Sequence, residues 1–316
     1  MKPGWIAALW IGVAFAGCKC GGRPGDASRT DAAALSASAP ASSSAPAQPR
    51  RATRPAPKPQ EMTVVTSDGV KLEGSLYAGG DARAPAVILV HRMAGTRVEW
   101  TPLIERLFPV KTPMNVLAFD LRGHGASVVD TKARVAPAAK GGKAAGKLAW
   151  NEFGTKEFAT MANDVQAAVQ WMDKRTGGPA SSLVLVGSDF GATAATLASK
   201  GMGNRLRGMA LISPGALLKG VDLYKPFGEV LGLANLIVAA SEDNTSAEPA
   251  QALGAMSKGS RVLRYAGSLH SAEYLGRDKP EMWDAIADWV EERVVPTPVE
   301  GAAIAPHPAV SASAGP

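Results

Sequence analysis

The stretch LVLVGSDFGATAA (183–195) passes from an apolar run through a tight glycine turn into a run of small residues. That layout is a nucleophile elbow, a strand–turn–helix corner that lifts one side chain out of a strained backbone. Two candidates stand there: Asp189 and, one place earlier, Ser188. The corner needs little side chain two places to either side of its centre, so that strand and helix can approach. Centring on Asp189 puts Gly187 and Gly191 at those places; centring on Ser188 puts Val186 and Phe190 there and predicts a clash. Aspartate also tolerates positive φ better than most residues. The spacing therefore favours Asp189. A carboxylate that attacks an acyl carbon makes an anhydride, a poor intermediate for ester hydrolysis. Attack on an sp³ carbon gives an ordinary alkyl ester, which activated water can hydrolyse. A base for that water has four possible sources: His91, His124, His270 and His307.

The elements that must hold these residues alternate in type. EMTVVTSDGVKLEGSLYAG (61–79) reads as a β-hairpin turning at Ser67-Asp68-Gly69. The runs AVILVH (86–91), NVLAFD (115–120), SLVLVG, RGMALIS (207–213) and LANLIVAAS (233–241) suit strands buried on both faces, and RVLRYAG closes the series. Between them, WTPLIERLF, residues 156–175, the segment after the elbow, Glu248 to Met256 and PEMWDAIADWVEERV have helical spacing. Alternation of this kind predicts a mostly parallel sheet covered by helices on both faces. Ligands in such sheets bind at the carboxyl ends of the strands, where every motif named here falls.

The hairpin start, the strand ending in His91, FDLRGHGAS, the elbow, LISPG, AASEDN and YAGSLH, taken in this order, resemble the α/β-hydrolase superfamily. The likeness is to its dienelactone-hydrolase-like and lysophospholipase-like members and covers nearly all of 61–295. It implies an α/β-hydrolase fold without a large cap domain. It also implies that His270, in G-S-L-H, is the base, and that Asp243 orients it, with Glu242 the close competitor. The order Asp189, Asp243, His270 is then the family order of nucleophile, acid and histidine. The oxyanion hole falls to the backbone N–H groups of Phe190 and Met93. At His91-Arg92-Met93 an arginine replaces the usual glycine, so Arg92 is expected either to pair with Asp189 or, by slight preference, to face solvent.

Haloalkane dehalogenases and epoxide hydrolases use an elbow aspartate on this fold, but three features depart from them. Only about 20 residues separate Ser213 from Asn235, where their cap would stand. Phe190 replaces the tryptophan whose N–H holds halide, and Tyr224 is the one phenol in that connection. The loop 128–150 carries Lys132, Arg134, Lys140, Lys143 and Lys147; its Gly/Ala content favours a solvated insert over a substrate-recruiting cover. Two functions stay open: a hydrolase acting on a small ester-like or alkyl (halide or epoxide) substrate, and a non-catalytic binding or scaffold protein.

The ends of the chain are of another kind. Residues 1–17 have a basic start at Lys2 and an apolar run from Trp5 to Ala16, the pattern of a secretory signal. FAGC resembles the lipobox of bacterial lipoproteins, which implies cleavage before Cys18, lipid on its sulfur and anchoring in the membrane. Lys19 after the anchor inclines the expected site to the outer membrane of the cell envelope. Residues 18–60, rich in Ala, Ser and Pro, read as a tether, 61–295 as the hydrolase domain, and 296–316 as a disordered tail. Residues 1–60 carry eight Lys/Arg and two Asp, so the whole net charge of +6 resides there and the remainder is neutral. A neutral domain shows no nucleic-acid footprint, so no nucleic-acid partner is expected. Cys20 is the second and last cysteine, leaving the domain without disulfide or thiolate metal site. No metal or nucleotide cofactor is expected.

Overall fold

Ala86–Val90, Asn115–Phe119 and Leu236–Ala240 are buried at every position, as a strand must be when helices cover both faces of its sheet. A computed structural model describes residues 56–79, 81, 83–108, 112–132 and 146–294. The signal segment with Cys18, all but the end of the tether, most of the basic loop, the tail and His307 lie outside the described residues.

The main sheet is built from β1 (Gln60–Val65), β2 (Val70–Ala78), β3 (Ala86–Val90), β4 (Asn115–Phe119), β5 (Leu183–Ser188), β6 (Leu206–Ile212), β7 (Leu236–Ala240) and β8 (Arg261–Tyr265). They lie in the order β1-β2-β4-β3-β5-β6-β7-β8. β1, β2 and β4 pair antiparallel, and every pair from β4–β3 to β7–β8 is parallel. The helices are α1 (Thr101–Leu107), α2 (Thr155–Arg175), α3 (Phe190–Ser199), α4 (Ala247–Met256), α5 (Ser271–Asp278) and α6 (Glu281–Val294).

Alternation along each strand divides the core in two. Ile88, Val90, Leu117, Phe119 and Leu185 pack with α2, α3 and α4 on one face. Val87, Leu89, Val116, Val184 and Val186 pack with α1, α5 and α6 on the other. Between β6 and β7 stand only the small ladder Leu217–Leu218/Val221–Asp222 and the helical turn Tyr224–Gly228, so no large cap domain stands in that connection or elsewhere among the described residues. The α/β-hydrolase fold expected from the sequence is the fold observed. Helix α5, the small ladder and the turn Tyr224–Gly228 are elements the sequence reading did not anticipate.

Candidate active site

β5 ends at Ser188 and α3 begins at Phe190, so Asp189 alone turns the chain. Its φ of 52° and ψ of −118° lie outside the ordinary regions for a residue with a side chain. Such a conformation costs about 1–3 kcal/mol and persists only when its surroundings impose it. Here the Asp189 N–H donates to Ile212 O at 2.8 Å, and the Asp189 carbonyl accepts the Ala192 N–H at 3.1 Å. A Cβ at Gly187 would meet Gly191 O at 2.5 Å, and one at Gly191 would meet Val90 O at 2.2 Å. The two glycines are therefore what lets strand and helix meet around Asp189.

The carboxylate of Asp189 divides its oxygens between two partners. Oδ2 accepts the Met93 N–H at 3.1 Å, and Oδ1 lies 3.1 Å from His270 Nε2. On the other side of the imidazole, Nδ1 lies 2.6 Å from Asp243 Oδ2. Asp243 also accepts the Thr245 N–H at 2.9 Å and the Ser246 hydroxyl. Glu242 is exposed, so the geometry selects Asp243 over it. Phe190 N–H is among the first N–H groups of α3, which have no acceptor within the helix. Its side chain is buried against Phe158, ring centroids 5.1 Å apart.

Charge follows from this layout. Burial would lower the His270 pKa, but hydrogen bonds and charge from Asp189 and Asp243 outweigh it and push the value up to about 9. Burial would raise that of Asp243, yet the His270, Ser246 and Thr245 hydrogen bonds hold it below its ordinary value. At neutral pH His270 is a cation donating one N–H to each carboxylate.

Backbone contacts fix where the imidazole stands. After His270 the chain enters α5, and the Ser271 and Ala272 N–H groups donate to Ser213 Oγ (2.9 Å) and Ser188 Oγ (2.8 Å). Both serines lie at the ends of central strands, so the sheet itself locates the helix that follows the histidine.

The loop after β3 is held by side chains to which the sequence reading gave no such role. His91 Nε2 accepts the Leu121 N–H at 2.9 Å, and His124 Nε2 accepts the Ala94 N–H at 3.2 Å. Their Nδ1 atoms lie 2.7 Å from Arg92 O and 2.9 Å from Arg122 O, which defines both rings as Nδ1–H tautomers. Burial keeps both neutral, pushing His91 down to about 3 and lowering His124 as well. Asp120 accepts the Arg97 N–H at 2.8 Å and its guanidinium at 2.7 Å. Glu99, buried and pushed up to about 8 by that burial, accepts the Arg92 N–H at 3.0 Å. The position of His91 at a strand end was a signal for one of these; Glu99 gave none.

Arg92 corrects both expectations for it. It neither faces solvent nor meets Asp189; its Nη2 lies 2.6 Å from Glu273 Oε2, with only 16% of the side chain exposed. A guanidinium has five donors to satisfy, and the carboxylate on α5 offers a stronger partner than water alone. Among the described residues no group of three or more His, Cys, Asp or Glu side chains could hold a metal ion.

The alpha/beta hydrolase family matches residues 87–312 of the sequence. The chain belongs to that family, and it has the layout of a hydrolase: a strained elbow residue, a histidine and an acid in hydrogen-bonded series. A search of curated proteins finds no match. Among solved structures, the chain is similar to an esterase from Pyrococcus furiosus, at 16% identity and a TM-score of 0.57 over 78% of this chain and 97% of that one. A carboxyl esterase from Bacillus coagulans aligns at 14% identity and TM-score 0.58, covering 75% and 99% of the two chains. An enol-lactonase from Burkholderia xenovorans aligns at 12% and 0.53, covering 72% and 99%. At these identities the likeness establishes the fold.

Proposed function

We propose that the protein is a hydrolase of small alkyl electrophiles, epoxides or alkyl halides, in which Asp189 is the nucleophile. The observation that carries this reading is the division of the Asp189 carboxylate between Met93 and His270. Acyl transfer, the chemistry of the esterases and the lactonase of similar fold, needs the oxyanion hole free for the substrate's own carbonyl oxygen. Here Oδ2 already occupies the Met93 donor. Attack through Oδ1 on an sp³ carbon leaves Oδ2 in place as the carbonyl oxygen of the resulting ester.

The steps follow from the residues present. Oδ1 bonds to the substrate carbon as the carbon–halogen or carbon–oxygen bond breaks, and the electron pair leaves with the halide or the epoxide oxygen. Esterified Asp189 has lost its charge, which removes one of the two carboxylates that hold the proton on His270, and that proton passes to the epoxide oxygen or, after loss of halide, to solvent. Neutral His270 then takes a proton from water as that water attacks Cγ of Asp189. Negative charge collects on Oδ2 at the Met93 N–H; on collapse His270 returns its proton to the departing alkoxide, which leaves as the alcohol, and the acid so formed gives its proton back to His270, restoring the carboxylate.

The test is a mixed panel of small epoxides, bromoalkanes and nitrophenyl esters, run with wild type and Asp189→Asn in ¹⁸O-labelled water. Single-turnover incorporation of label into Asp189, with turnover absent from the variant, supports the reading. Ester turnover that survives Asp189→Asn overturns it. Binding of a panel member without turnover by either protein selects the non-catalytic binding role.

The same proposal places the protein outside the cytoplasm, lipid-anchored through Cys18 at the cell envelope and more specifically the outer membrane. The basic start, apolar run and FAGC of residues 1–18 support this, together with Lys19.

A further inference from the structure

Arg92 holds the position where glycine would leave the oxyanion loop free, and every polar group of this residue is engaged. Its carbonyl accepts from His91 Nδ1 (2.7 Å) and from the Gly95 N–H (3.1 Å). Because the peptide is planar and trans, fixing that carbonyl fixes the opposite direction for the Met93 N–H, the donor to Asp189. The side chain then leaves the loop. Nη1 donates to Met93 O at 2.9 Å, while Nε and Nη2 donate to Glu273 Oε2 at 3.0 and 2.6 Å. The guanidinium carbon stands 5.0 Å from the Tyr274 ring centroid. Glu273 lies in the first turn of α5, three residues after His270. One side chain thus ties the loop that carries the hole donor to the helix that follows the histidine.

We propose that Arg92 and Glu273 are positioning residues, a strut that sets the Met93 N–H and His270 at the separation that ester hydrolysis requires. The kinetic consequence rests on the Asp189 reading above. Alkylation needs Asp189 oriented, and the backbone corner and His270 share that task with the Met93 N–H. Hydrolysis needs the Met93 N–H on the oxyanion and His270 on the water at the same moment, so it is the step that depends on the two elements staying in register. Lysine at 92 would reach Glu273 through one point contact and lack the fork that also holds Met93 O.

The experiment uses the full chain with Arg92→Met, Arg92→Lys and Glu273→Gln. One readout is hydrogen–deuterium exchange at the Met93 amide. The other is the amount of alkyl-enzyme seen by intact mass during turnover of a small bromoalkane or epoxide. The strut predicts that Arg92→Met and Glu273→Gln speed Met93 exchange about tenfold, with β3 amides unchanged. It also predicts that alkyl-enzyme accumulates, because hydrolysis slows by up to about a hundredfold and alkylation by less. Arg92→Lys should fall between these variants and wild type. Unchanged Met93 exchange in both variants overturns the strut, whatever the activity. Accelerated exchange in a protein whose wild type forms no adduct leaves the strut standing and rejects the Asp189 reading instead. Glu273, with 40% of its side chain exposed, keeps the test available if Arg92→Met does not fold.

Discussion

Ser188 Oγ accepts the backbone N–H of Ala272 at 2.8 Å, so the hydroxyl one residue before the elbow is bound to the helix that follows His270. The side chain is fully buried. A serine used in this way locates the base and has no path to a substrate. Ser188→Ala leaves a buried N–H unpaired, a cost of about 1–3 kcal/mol. The variant should unfold at lower urea yet still take an alkyl label, and peptide mapping should place that label on Asp189. A label that disappears with Ser188→Ala but persists in Asp189→Asn would reverse the assignment.

The two carboxylates flanking His270 set its titration. Its folded pKa, about 9, lies above the ordinary value of 6.5, so its contribution to stability is full below that ordinary value. The contribution is lost as pH rises through about 9. Asp189→Asn removes one of the carboxylates, and the His270 midpoint should move down towards 6.5. Proton NMR of the imidazole across pH 5–10 reads this directly, and a midpoint that stays where it was would mean Asp189 does not hold the proton.

His91 behaves in the opposite sense. Its folded pKa is pushed down to about 3, so between 6.5 and that value the unfolded chain binds a proton that the folded one refuses. Stability should therefore fall as pH drops through this window. His91→Gln should cost about 1–3 kcal/mol at pH 7 from the lost Arg92 and Leu121 contacts, but show a flatter decline towards pH 4. Urea midpoints for both proteins at the two pH values make the comparison.

Gly191→Ala should be among the least tolerated substitutions in the domain. The new methyl would stand 2.2 Å from Val90 O and 2.4 Å from His91 O, both backbone atoms that a side-chain rotation cannot clear. A loss of about 3–5 kcal/mol is expected, visible as a lower melting temperature or as failure to accumulate soluble protein. A wild-type melting temperature would mean that α3 can move away from β3 at little cost.

Cys18→Ser should abolish incorporation of labelled palmitate in a bacterial host and release the protein from the membrane fraction. Labelling that survives the change would remove the lipid anchor from the proposal.

The parts of the molecule that could be read from sequence are those where local chemistry and tertiary demand coincide. Five apolar residues in a row at Ala86–Val90 admit little besides a strand covered on both faces. Gly187 and Gly191 at their spacing around Asp189 admit little besides a tight corner. Where the partner is far along the chain, the sequence is silent. Arg92 finds Glu273 across 181 positions, and neither residue type announces the pairing. Helix α5 escaped notice because it is only eight residues long and its buried side is Ser271, Ala272, Leu275 and Gly276, with a single large apolar side chain among them. The choice between Asp243 and Glu242 turned on which side chain points inward, which two adjacent acidic residues do not reveal.

The basic segment joins the domain at a closed neck. Asp130 N–H donates to Gly146 O at 2.7 Å, Leu148 N–H donates to Val128 O at 2.9 Å, and Trp150 stacks on His124 at 5.5 Å. Whatever the chain does between those two points, its ends leave and return at one fixed place, so a change in its length leaves the two points where they are. An evolving or engineered descendant could lengthen, shorten or replace that segment as a cartridge. The working parts beside it would not have to be rebuilt.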